Sequence, residues 1–72
     1  MLNSQILVSV VSLTWNSEKW VKKFISSLVN DFEHDNISYE IIIVDNGSVD
    51  ETINVVKELQ LSNENIILIQ LG

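Results

Sequence analysis

The chain has no cysteine and no arginine, and only four lysines stand against ten acidic residues. Each shortage removes a class of explanation. Without cysteine, neither a disulfide nor a zinc–thiolate site can stiffen a small fold. A net charge of −6 with no arginine leaves no basic footprint for a nucleic acid. The longest apolar run, around "ILVSVVSLTW", is too short for a membrane span and has no basic segment before it. The expectation is a cytoplasmic chain without a targeting segment, with room for a peripheral membrane association in a full-length protein.

What is present suits one globular domain over residues 1–72. The 46% hydrophobic content is ordinary for a folded unit. A chain of this size buries only about 60% of its unfolded surface, and burial barely offsets chain entropy. Stability is therefore marginal, and a partner surface or further chain is expected to help.

The order of elements follows from periodicity. "QILVSVVSLTW" is β-branched and nearly continuous in apolarity, as for a strand covered on both faces. From Ser17 the period changes, with Trp20, Val21, Phe24, Ile25, Leu28 and Val29 spaced as a helix stripe and Asn16 placed to cap it. "DFEHDNIS" reads as a polar loop and "YEIIIV" as a second strand. Ser48 and Glu51 form a capping box for a second helix that buries Thr52, Val55, Val56 and Leu59. "LSNEN" breaks that helix, and "IILIQL" is a third strand.

Strands alternating with helices predict an α/β fold: a three-layer βαβαβ Rossmann-like half domain whose three-stranded parallel sheet has the order 3-2-1. The loops "SLTWNS" and "VDNGSVD" then open on one edge of the sheet, where such folds bind ligands. Asp45 lies there, where an apolar strand reaches solvent, and is expected to face a ligand without being buried. Neither loop is a phosphate cradle, because GxGxxG and the lysine P-loop are both missing. The loops offer instead an acceptor-only carboxylate at Asp45, suited to hydroxyls or to a ring N–H such as that of uracil. Trp15 adds a flat face for stacking, worth about 1–3 kcal/mol on a base, and Thr14 adds a hydroxyl for base edges.

Two ordered motifs carry a resemblance. Thr14-Trp15-Asn16 ends the first strand, and Val44-Asp45-Asn46-Gly47-Ser48-Val49-Asp50 ends the second. Together with "NIILIQLG" they resemble the amino-terminal portion of family 2 glycosyltransferases of the GT-A fold, most closely the rhamnosyltransferase-type members. The resemblance covers nearly the whole chain. It implies a segment that binds a nucleotide-diphosphate sugar, a UDP- or dTDP-sugar, for transfer to an acceptor hydroxyl in cell-surface polysaccharide synthesis. The implied nucleotide-binding residues are Thr14, Trp15, Asn16, Asp45 and Asn46, with Asp45 binding the base and Trp15 against its ring. The family's Asp-x-Asp and catalytic base have no counterpart in the sequence, so the resemblance implies no catalytic or metal residue here. It implies a divalent metal, magnesium or manganese, only for a full-length enzyme, and makes this a truncated domain that is inactive alone.

Several residues have plainer readings. Asp50 and Glu51 complement a helix dipole as first-turn acids, and Gly47 serves a backbone with positive φ. Trp20 falls on the helix stripe and is expected in the core, while Lys19, Lys22 and Lys23 form a solvated face. His34 has no partner pattern for metal or catalysis. The alternative function is a non-catalytic, self-associating α/β module: the first strand is an apolar edge open to strand addition, which predicts a homo-oligomer. A flavodoxin-like domain needs five strands, which the chain lacks.

Overall fold

The β-branched runs and helix stripes give five elements in the computed structural model, which describes residues 6–72. They are β1 (Val8–Thr14), α1 (Val21–His34), β2 (Tyr39–Asp45), α2 (Thr52–Ser62) and β3 (Ile66–Gln70). Gln5, at the start of the predicted first strand, lies outside the described residues. The sheet is parallel, ordered β1-β2-β3, as expected. Register sets Thr14 opposite Asp45 and Asp45 opposite Gln70, so the carboxyl ends of all three strands finish level.

Among the described residues no third layer forms. The strands are laid down in one direction across the sheet, so crossovers of one hand carry both helices to the same face. There Val21 and Ile25 of α1 and Val56 of α2 close over Tyr39, Ile41, Ile43 and Ile66. The other face carries two apolar rows in register, Val11–Ile42–Ile67 and Leu13–Val44–Ile69. Val11 is 63% and Leu13 71% exposed. The strand pattern of continuous apolarity fits cover on both faces, but the described residues supply one.

Helix ends also differ from expectation. Asn16 does not cap α1, because the helix begins at Val21 after a turn in which the Ser17 carbonyl accepts from the Trp20 and Val21 N–H groups. Phe32 prolongs the apolar stripe by one turn past Leu28 and Val29, so Asp31 to His34 are helical rather than loop. Asn36 ends the helix with φ 55°, and Ile37 N–H reaches back to the Phe32 carbonyl, a Schellman-type stop. Trp20 is outside the core at 44% exposure, because it precedes the first helical turn and meets Phe24 edge to face. Phe32 stacks on Tyr39, whose hydroxyl donates to Glu33.

These placements rank the apolar side chains. Ile43→Ala removes a fully buried side chain from the central strand and is expected to cost about 2–5 kcal/mol. Trp20→Ala, at a half-exposed position, is expected to cost well under half of that. Urea denaturation followed by circular dichroism checks the order; equal losses would contradict the assigned core.

Candidate functional site

The site is built where β1 and β2 end side by side. Asn46 N–H donates to the Thr14 carbonyl at 2.9 Å, extending the strand pairing one residue into the loops. Beyond that bond the first loop (residues 15–20) and the second (residues 46–51) lie against each other. Gly47 turns the second loop with φ 78°, and Asn16 turns the first with φ 47°, a conformation asparagine tolerates.

Asp45 is the centre, and its burial is a correction to the expectation. It is 1% exposed, because its side chain points to the helix-covered face, in phase with Ile41 and Ile43. Oδ1 accepts from the Thr14 hydroxyl at 2.6 Å and from the Ser48 hydroxyl at 2.6 Å. Oδ2 accepts from Ser48 N–H at 2.8 Å. Burial pushes the carboxyl pKa up, but the Ser48 and Thr14 hydroxyls and the Ser48 and Gly47 N–H groups outweigh it, leaving the pKa below the ordinary 3.8. The ionised form is therefore the one the fold holds.

The second loop clasps the first through three successive N–H groups. Asn16 N–H donates to Ser48 Oγ at 2.8 Å, Ser17 N–H to Thr52 Oγ1 at 2.7 Å, and Glu18 N–H to Asp50 Oδ2 at 3.2 Å. Val49 N–H returns to Asn16 Oδ1 at 2.9 Å. Those loop N–H groups are occupied by protein acceptors, which agrees with the lack of a phosphate-cradle motif.

Of the five residues singled out in the sequence, all lie on this rim, but in two roles. Thr14 and Asp45 are buried beneath it. Trp15, 65% exposed, and Asn16 and Asn46, both exposed, form its outer surface. Sequence reasoning missed Ser48, Ser17 and Thr52 as loop-to-loop links. Ser48 was expected to cap α2; it lies four residues before the first helical residue and gives its hydroxyl to Asp45 instead. Asp50 takes the capping part, accepting from Thr52 N–H at 2.9 Å. Its pKa is also lowered: partial desolvation is outweighed by the Thr52 hydroxyl and the N–H groups of Thr52 and Glu18. The available signal was the density of hydroxyl residues in both loops, beside two acids.

Among the described residues, no group of three or more His, Cys, Asp or Glu could hold a metal ion. None of their helices is long and apolar enough to cross a membrane.

A parallel sheet with two βα loops clasped on one rim defines a Rossmann-like α/β domain. The sequence model of the family described as Glycosyl transferase family 2 matches residues 9–72, so the chain belongs to the family 2 glycosyltransferases. It is 41% identical over 54 residues to a Methanococcus voltae protein, covering 74% of this chain and 16% of that one. That protein is named dolichyl N-acetyl-alpha-D-glucosaminyl phosphate 3-beta-D-2,3-diacetamido-2,3-dideoxy-beta-D-glucuronosyltransferase. A second relative, an uncharacterized glycosyltransferase of Mycoplasma genitalium, is 34% identical over 61 residues, covering 85% of this chain and 20% of its own length. The chain thus spans a fifth or less of these curated relatives.

The buried carboxylate makes a signed prediction. Asp45→Asn places an amide donor against donors already present, and loss of charge-assisted bonds is expected to cost about 1.5–3 kcal/mol at neutral pH. Because the folded pKa is lowered, the Asp45 contribution is complete above 3.8 and is lost as pH falls through the folded value. The stability gap between wild type and Asp45→Asn is therefore expected to close as acid is added, read by thermal unfolding across a pH series. A gap independent of pH would contradict the assignment.

Proposed function

We propose that the rim binds the nucleotide of a nucleotide-diphosphate sugar, a UDP- or dTDP-sugar, for a glycosyltransferase that moves the sugar to an acceptor hydroxyl in cell-surface polysaccharide synthesis. The carrying observation is that two exposed residues, Trp15 and Asn46, directly follow the paired ends of β1 and β2, where Asn46 N–H meets the Thr14 carbonyl. The indole stacks on the base. Asn46, with an amide that both donates and accepts, reads a base edge, and Asn16 borders the same surface. Thr14 and Asp45 hold these groups from beneath, so Asp45 acts on the base through the loop it organises.

The Methanococcus voltae relative, named as a transferase acting on a sugar-bearing phosphate, supports a saccharide acceptor. In a whole enzyme, magnesium or manganese would be held by residues other than those described here and would supply charge neutralisation for the diphosphate. The chain alone is expected to bind nucleotide without turnover.

Titration with UDP, dTDP and GDP, followed by amide NMR, tests this reading. Shifts are expected at residues 13–16 and 45–48. Trp15→Ala is expected to weaken binding by about 1–3 kcal/mol. Silence of those amides at millimolar nucleotide would remove the donor-site reading.

A second reading, self-association as a non-catalytic module, is favoured by the β1 edge, unpaired among the described residues, beside the exposed Val11 and Leu13. Sedimentation is expected to show species larger than a monomer at high micromolar concentration; a clean monomer there excludes it.

A further inference from the structure

The clasp contains a second carboxylate that the base-binding reading leaves unused. Asp50 Oδ1 accepts from the Thr52 hydroxyl at 2.5 Å and from Thr52 N–H, while Oδ2 reaches across to Glu18 N–H. With its proton committed to Asp50, the Thr52 hydroxyl presents only lone pairs to the first loop, where it accepts from Ser17 N–H at 2.7 Å. Thr52 and Ser17 are both buried. Ser17 Oγ in turn lies 3.1 Å from Trp15 N and 3.2 Å from Trp15 O, gripping that residue's backbone on both sides. One hydrogen-bonded chain therefore runs from the start of α2 to the backbone that carries the exposed indole.

We propose that Asp50 and Thr52 are positioning residues for nucleotide binding, fixing Trp15 through Ser17 so that the indole meets the base already oriented. The proposal rests on the reading of the rim as a base site. The physical need is clear from exposure: most of the indole lies in water, so its orientation depends on its backbone. Binding loses affinity when a side chain must first be ordered. Thr52→Val keeps the shape of a buried side chain and removes the acceptor for Ser17 N–H together with the donor to Asp50 Oδ1. Thr52→Ser keeps that acceptor.

The test uses the whole chain, with UDP as probe and three variants: Thr52→Val, Thr52→Ser and Asp50→Ala. Thr52→Val and Asp50→Ala are expected to weaken UDP binding roughly three- to ten-fold, with Ile41 and Ile43 amide shifts unchanged. Without ligand, they are expected to lower the heteronuclear NOE of the Trp15 amide and indole N–H. Thr52→Ser restores both. Wild-type affinity and Trp15 order in a folded Thr52→Val or Asp50→Ala would overturn the proposal. Should Thr52→Val not fold, Asp50→Ala, altered at a partly exposed residue, decides alone. If the wild type itself binds no UDP, the base-site reading fails. The ligand-free Trp15 NOE then decides the positioning step: a drop in the variants keeps it, and no change overturns it.

Discussion

A single buried carboxylate at the end of the central strand organises the loop-bearing edge of this molecule. Asp45 lies in phase with the isoleucines that fill the core, in a place where an unpaired charge would be intolerable. Two hydroxyls and the N–H groups of its own loop surround it. Those donors come from Thr14 on β1 and from the turn that follows β2. Satisfying the charge therefore forces both βα loops into one arrangement.

From that arrangement the rest of the rim follows. Ser48 gives its proton to Asp45 and so accepts from Asn16; Thr52 gives its proton to Asp50 and so accepts from Ser17. Two acids each orient a hydroxyl, and each hydroxyl fixes a backbone N–H of the neighbouring loop. Loops are ordinarily the mobile part of a fold. Here an exposed aromatic is carried on a loop tied down residue by residue, the kind of rigid presentation that lowers the ordering cost of binding. The proposed nucleotide site draws on that rigidity and on no glycine-rich phosphate cradle.

The opposite property marks the sheet. Its helix-free face exposes two apolar rows, an arrangement associated with surfaces that become covered. In a chain that spans a fifth or less of its curated relatives, the core rests, among the described residues, on seven buried apolar side chains. That is a slender foundation for a domain of this size.

The element order, the parallel sheet, the family and the rim location of Thr14, Trp15, Asn16, Asp45 and Asn46 were all legible in the residues. Periods of two and of about 3.6 are local properties, and the motifs sit at strand ends that parallel topology must align. Tertiary structure alone decided which face stays open, because the hand and direction of the crossovers leave no mark on an apolar strand. It also decided that Asp45 is buried and Asn46 exposed, a one-residue alternation that no polarity pattern distinguishes at a strand's end. The same holds for the cross-loop bonds of Ser48, Thr52 and Asp50: a hydroxyl or an acid near a helix start reads as local, and only a partner some thirty residues away in the chain shows what else it bonds.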